Sequence, residues 1–400
     1  MNDIFEKELN KETVFKDRDV LSAHYIPDTL PHREEEIERI MKTLAPSLSN
    51  KRSENLFLYG KTGTGKTSVA KHVIDKLVQV KDKYEVKVDP VYINCRIQDT
   101  KYQVILKMVE YCYPEKEFIG YAFAHLYDRV LKYIEEEETN FIVMLDEVDK
   151  NKSLDDLIYT LTRTNDELNK GQLIIVGITN EINFKDKLDP RSRSTLCEEE
   201  VVFSPYDAEQ IKEILEQRIE KGFKEDSIDR SAINLVAATA AQESGDARRA
   251  LMLMQKSGDI ADNEGKKKVT DGHVKKARDK VEEEIVYETI ETLPEHQKIL
   301  LYAIAQLTKK GGHYKKLNGV DDDKTLMSGE VYSRYESLCE KRGKDPKTAR
   351  WCREYIDDLD MLGLVTTNLS GKGVRGNTTL IKLAYPAGKV KKVIEERFGS

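Results

Sequence analysis

The sequence predicts an α/β chain in three parts: a parallel-sheet domain, an all-helical segment, and a C-terminal module of helices closed by a hairpin. Three observations carry this. Five short apolar runs, β-branched or aromatic, alternate with amphipathic stretches through the first half of the chain, the pattern of a sheet covered by helices on both faces. From 207 to about 281 the texture is helical, with no strand-like run. From about 283 the order reads helix, helix, helix, then two strand-like runs. The expected boundaries are 1–205, 206–282 and 283–400, and 400 residues are too many for one ordinary core.

The five runs are 55–59 (NLFLY), 91–95 (VYINC), 141–145 (FIVML), 173–179 (LIIVGIT) and 200–203 (EVVF). Residues 207–222 (DAEQIKEILEQRIEKG) open the helical part with an Asp start and a Gly stop. Hydrophobic residues make up 39% and charged residues 34%, a composition suited to water-exposed domains with real cores. No apolar run approaches bilayer length, and the charged N-terminus lacks a secretory apolar segment, so no membrane partner and a cytoplasmic location are expected. Five scattered cysteines without a CxxC pair argue against disulfides and zinc. Net charge is -7, but 283–400 holds 20 basic against 18 acidic residues, and from Leu362 onward the balance is 7 to 2. A local basic bias of this kind suits one module that meets nucleic acid and another that does not.

Residues 60–67 read GKTGTGKT, after the strand NLFLY and before the helix SVAKHVIDKL. Glycines there let backbone N–H groups turn toward phosphates, and the helix N-terminus adds positive partial charge. Gly60, Lys61, Thr62, Gly63, Thr64, Gly65, Lys66, Thr67 and the following Ser68 are the phosphate-side candidates for ATP or ADP. Lys66 is expected to reach the outer phosphates and the Thr67 hydroxyl to ligate Mg²⁺. The run 141–149 (FIVMLDEVD) places Asp146 and Glu147 at the C-terminal end of a buried strand, where open parallel sheets bind ligands. Asp146 suits the metal shell, and Glu147 suits polarising an attacking water.

In the C-terminal module, 329–343 (GEVYSRYESLCEKRG) is helical, and 346–364 (PKTARWCREYIDDLDMLGL) is a second helix after it. Cys352, Tyr355, Ile356 and Leu359 share the buried face. Lys347 and Arg350 fall at the outer face of its first turn with Arg353 flanking them, where a recognition helix meets bases and phosphates, and Thr348 is counted with them as a DNA-binding candidate. Two strand-like runs follow around a loop, 368–377 (NLSGKGVRGN), that carries Lys372 and Arg375. Together these read as a winged helix binding duplex DNA. The outer-face acids Glu354, Asp357 and Asp358 would repel a phosphate backbone. Trp351, the single tryptophan, is expected to serve packing or an interface rather than stacking on bases.

With these residues in place the sequence resembles the AAA+ superfamily, as a P-loop base with a helical lid. The resemblance implies that Asn180, ending LIIVGITN, is a first sensor beside the γ-phosphate, and that Arg248 in GDARRAL is the second sensor, with Arg249 behind it. In LDPRSRSTL it implies that Arg193 or Arg191 serves a neighbouring subunit as an arginine finger. The order of parts resembles, over nearly the whole chain, the archaeal origin-recognition and cell-division-control initiator family. Residues 15–40 (FKDRDVLSAHYIPDTLPHREEEIERI) resemble that family's N-terminal segment. By that match Tyr25, Ile26, Pro27, His32 and Arg33 enclose adenine, with Tyr206 counted among the nucleotide contacts. The family implies a nucleoid-associated initiator that binds origin duplex DNA and helps recruit the minichromosome maintenance helicase. Paralogous initiator subunits and weak, switch-like ATP hydrolysis are also implied. Its second DNA contact would fall in 96–121, which here holds Arg96, Lys101, Lys107 and Lys116 without a dense basic cluster. A branch-migration motor or a P-loop transcription regulator is the alternative.

Overall fold

The computed structural model describes residues 12–22, 25–49, 51–181, 183–196, 198–311, 325–369 and 379–398. The chain divides into two compact units, Met1–Ala277 and Arg278–Ser400.

In the first unit the five apolar runs become strands β1 (Asn55–Gly60), β2 (Val88–Asn94), β3 (Asn140–Asp146), β4 (Gln172–Thr179) and β5 (Glu198–Phe203). They form one parallel sheet in the order β2-β3-β4-β1-β5. Because side chains alternate along a strand, each run feeds two cores. Phe57, Phe141, Val143 and Ile175 pack on one face with the helices Lys101–Cys112, Phe123–Glu137 and Leu154–Glu167. Leu56, Leu58, Ile142 and Val176 pack on the other with the helices Glu34–Leu44 and Lys66–Tyr84. Strand order changes direction around β1, so the crevice of the sheet opens at the C-terminal ends of β1, β3 and β4.

The same unit holds the helices Ala208–Gly222, Arg230–Glu243 and Ala247–Asn263, and the division between the units falls within a fourth, Asp271–Thr292. A capping box fixes the first of them: the Asp207 carboxylate accepts from the Gln210 N–H, and the Gln210 side chain accepts from the Asp207 N–H. These helices share a core of Ile211, Leu215, Val236 and Met254. The N-terminal segment joins it, with Phe15 against Phe223 at 4.6 Å between ring centroids.

The second unit contains the helix Glu295–Lys310, β6 (Thr325–Met327), the helices Ser328–Lys341 and Ala349–Met361, then β7 (Val365–Leu369), β8 (Thr379–Leu383) and the helix Ala387–Phe398. Its antiparallel sheet runs β6-β8-β7. Three differences from the sequence reading stand out. β6 is too short to show periodicity, and the closing helix Ala387–Phe398 lies beyond the expected hairpin. The recognition helix starts at Ala349, not Pro346. Thr348, the N-cap, is extended (φ −65°, ψ 160°), and its carbonyl accepts the first helical bond, from the Cys352 N–H at 3.1 Å. Trp351 is 52% exposed, with its ring centroid 6.1 Å from that of Tyr355.

One glycine makes a test of the sheet. A Cβ on Gly177, in the middle of β4, would lie 2.3 Å from the ring of Phe57, its register partner on β1. Gly177→Ala is expected to cost about 1–3 kcal/mol through overpacking, read as a lowered melting temperature. An unchanged melting curve contradicts this packing account.

Candidate functional site

β1 delivers the chain into the glycine-rich turn. Gly63 (φ +74°) and Gly65 (φ +90°) take left-handed backbone, where a side chain is strained. Space forbids one as well: a Cβ on Gly63 would lie 1.7 Å from Asp246 Oδ1, and a Cβ on Gly65 would lie 2.8 Å from the Tyr206 hydroxyl. Lys66, buried at the start of the helix, donates from Nζ to the carbonyls of Gly60 (2.7 Å) and Lys61 (2.8 Å) and to Asn180 Oδ1 (2.9 Å). The Thr64 hydroxyl braces the turn by donating to the Lys61 carbonyl at 2.9 Å. Thr62 and Lys61 are exposed on its rim.

At the end of β3, Asp146 Oδ2 accepts from the Thr67 hydroxyl at 3.0 Å and from Tyr92 Oη at 2.7 Å. Glu147 follows with left-handed backbone (φ +50°), a strained state for a residue with a side chain. Its N–H donates to Asp146 Oδ1 at 3.0 Å, and its carboxylate lies 3.8 Å from Arg96. This donor set fits a magnesium nucleotide. A buried cation and a helix N-terminus border a cradle that any Cβ would fill, and a hydroxyl and a carboxylate converge beside it.

A cavity beside the turn is lined by Tyr25, Pro27, Leu30 and Pro31 from the N-terminal segment, by Gly63, Gly65 and Ser68, and by Tyr206. The helical part adds Ile214, Gln217, Arg218, Ala247, Arg248 and Leu251. Three expected adenine-side residues are not among the lining. Ile26 is partly exposed, and His32 Nε2 sits 2.9 Å from Glu213. Arg33 lies beneath the glycine turn, 4% exposed. Its guanidinium donates to the carbonyls of Thr64 (2.9 Å) and Ser204 (2.7 Å), pairs with Glu36 at 3.0 Å, and stacks 3.9 Å over the Tyr206 ring. Arg218 was missed by sequence reasoning. It occupies the seventh position after Ile211 on an otherwise apolar helix face, and a charge on that stripe was the available signal. It donates to the Val20 and Tyr25 carbonyls and lies 4.6 Å from the Tyr25 ring centroid.

Arg248 is exposed at the cavity, whereas Arg249 is paired with Glu243. Arg193 is held within this chain, by the Lys185 carbonyl at 3.0 Å and Asp186 at 3.0 Å. Arg191 is exposed on the same short helix, Pro190–Thr195.

In the second unit the buried Tyr335 pins the approach to the recognition helix. Its hydroxyl accepts from the Lys347 N–H at 3.2 Å and lies 2.7 Å from His296 Nδ1. Cys352, Ile356 and Leu359 are buried, with Tyr355 half-buried beside them. Lys347, Thr348, Arg350 and Arg353 are all exposed, Lys347 from the extended lead-in rather than the helix. Two of the repelling acids have protein partners: Asp358 accepts from Gln297 at 2.7 Å, and Glu354 lies 3.6 Å from Arg350. Lys372 and Arg375 lie outside the described residues. In 96–121, Lys107 pairs with Glu110 at 2.9 Å, Lys101 with Asp156 at 4.0 Å, and Lys116 lies 5.1 Å from the Tyr113 ring centroid.

Burial, reinforced by the charge of Arg248, lowers the pKa of Lys66 to about 8. A polyphosphate beside the ammonium group favours its charged form, so the complex retains a proton that the free protein releases as pH rises through about 8. Nucleotide affinity is therefore expected to fall above that pH, by at most about ten-fold per pH unit, with proton uptake on binding. Calorimetry in buffers of different ionisation enthalpy measures both. Affinity that stays flat through this range, with no proton uptake, contradicts the assignment.

Family models match the chain in three stretches: an NB-ARC domain over 33–200, a Cdc6 AAA+ ATPase-type lid domain over 212–279, and a CDC6 C-terminal winged helix domain over 288–393. An ORC1-type DNA replication protein of Thermococcus onnurineus is 43% identical over 399 residues, covering 98% of this chain and 94% of the relative. One from Pyrococcus furiosus is 42% identical over 400 residues, covering 98% and 93%. Among solved structures, the Aeropyrum pernix ORC1 protein in complex with DNA matches with a TM-score of 0.78 and 37% identity, over 97% of this chain and 98% of that one. With relatives above 40% identity along nearly its full length, the chain belongs to the ORC1-type family of AAA+ and winged-helix replication initiators.

Proposed function

We propose that this protein binds origin duplex DNA through its winged helix, carries ATP or ADP as a state marker, and helps recruit the replicative minichromosome maintenance helicase. The observation that carries the reading is the recognition helix. Its apolar face is buried, and its opening presents Lys347, Thr348, Arg350 and Arg353 outward, in a chain 37% identical to a protein solved with DNA. Among the described residues no helix is long and apolar enough to cross a membrane. Work in the cytoplasm on the nucleoid, alone or with paralogous initiators, completes the proposal.

At the nucleotide, Lys66 and the turn's N–H groups bind the phosphates, while Thr67 and Asp146 hold magnesium, which neutralises phosphate charge when bound. Glu147 orients the attacking water, and Asn180 and Arg248 contact the γ-phosphate from base and lid. Hydrolysis is slow in a lone protomer, because the finger arginine, Arg191 or Arg193, acts only on the ATP of a neighbouring subunit.

Capture of fragmented host genomic DNA on the purified protein, followed by sequencing, tests the reading. A few sharp sites sharing a repeat are expected; uniform or junction-only retention overturns it. Arg350→Ala and Arg353→Ala are expected to weaken binding and to reduce the salt slope by about one for each phosphate left without its cation, with nucleotide affinity unchanged.

A further inference from the structure

The motif FIVMLDEVD contains a third carboxylate that the nucleotide chemistry leaves without a task. Asp149 does not face the magnesium side. After β3 the left-handed Glu147 reverses the chain into a short 3-10 turn, Val148–Lys150, closed by the Lys150 N–H donating to the Glu147 carbonyl at 2.9 Å. That turn tucks Asp149 against the end of the neighbouring strand β4, with its side chain only 1% exposed. There Asp149 Oδ1 accepts from the Thr179 hydroxyl at 2.9 Å, and Lys150 Nζ lies 2.9 Å from Oδ2.

Thr179 is fully buried, and its hydroxyl also accepts from the Glu181 N–H at 3.1 Å. The residue between those two contacts is Asn180, whose Oδ1 accepts from Lys66 Nζ. A hydroxyl that donates to a fixed carboxylate and accepts from a backbone N–H leaves the intervening residue little freedom. Burial opposes ionisation of Asp149, but the hydrogen bonds from Lys150 and Thr179, aided by the Asn180 N–H, outweigh it and hold its pKa below the usual range. The acceptor is therefore a carboxylate at neutral pH.

We propose that Asp149 is a positioning residue: through the Thr179 hydroxyl it sets Asn180 against the phosphate end of the site, and so gives the protein its ability to distinguish ATP from ADP. The inference rests on the nucleotide reading above and is independent of DNA. The chain Asp149–Thr179–Asn180–Lys66 ties the turn after β3 to the glycine-rich turn after β1. The hydrogen-bonded link from Asp149 and Thr179 to Lys66 runs through Asn180, while the charge of Asp149 also favours the Lys66 ammonium.

The test compares equilibrium affinities for ADP and a slowly hydrolysed ATP analogue, on the full chain without DNA. Thr179→Val removes the hydroxyl at nearly constant volume. It is expected to keep ADP affinity and to reduce the preference for the triphosphate by roughly three- to ten-fold, the worth of one hydrogen bond. Asn180→Ala should do the same, and the double variant should lose no more than either single one, because the two act as one unit. Thr179→Ser should restore the preference. Asp149→Asn provides the same comparison where Thr179→Val melts early. Preference lost in Asn180→Ala but intact in Thr179→Val and Asp149→Asn overturns the role of Asp149 alone, as do additive losses in the double variant. A wild-type protein without any preference removes the sensing role of Asn180 and this inference with it.

Discussion

The nucleotide site depends on one close approach, that of the glycine-rich turn to the lid. Asp246 occupies the space where a side chain at residue 63 would be, and the Ala247 N–H donates to the Gly63 carbonyl at 3.2 Å. The same carboxylate caps the helix Ala247–Asn263, accepting from the N–H groups of Arg248 at 2.8 Å and Arg249 at 3.3 Å. One side chain thus both starts the helix that carries Arg248 and rests on the turn that cradles phosphate. Gly245, at φ +67°, lets the lid chain come this near, since a Cβ there would lie 2.7 Å from the Tyr206 carbonyl. A lid so placed cannot move without changing the surroundings of the glycine-rich turn, which is the coupling that the proposed nucleotide switch requires.

Two buried arginines hold the surroundings of that joint. A guanidinium out of water is costly unless its donors are matched. Arg33 directs its donors to Thr64, Ser204, His32 and Glu36, and Arg218 to the carbonyls of Val20 and Tyr25. Each therefore ties the N-terminal segment to a different neighbour: Arg33 to the glycine turn, Arg218 to the lid. In this way a stretch with little regular structure becomes one wall of the nucleotide cavity.

Much of this was legible in the sequence, for reasons that differ by element. The strands announced themselves because parallel strands buried on both faces need continuous apolar runs, and the phosphate turn because only glycines tolerate its backbone. The face of the recognition helix followed from the spacing of Cys352, Ile356 and Leu359. What stayed hidden depends on partners distant in sequence. Arg33 resembled an adenine contact by its neighbours in the chain, yet its position is set by carbonyls 31 and 171 residues away. Asp246 read as part of a sensor string, and nothing local revealed its contact with Gly63. Likewise Asp358 reads as repulsive in the sequence, and its partner Gln297 lies 61 residues away; Glu354 differs, since Arg350 stands four residues before it on the same helix.

The central claim is that the phosphate turn and the lid respond to nucleotide as one piece. Amide hydrogen exchange across residues 247–251, in the free protein and with ADP or an ATP analogue, measures it most directly. The Ala247 amide is expected to gain protection together with the glycine turn when nucleotide binds, and to gain more with the triphosphate. Protection of the turn alone, with the start of the lid helix exchanging at its free rate, contradicts it.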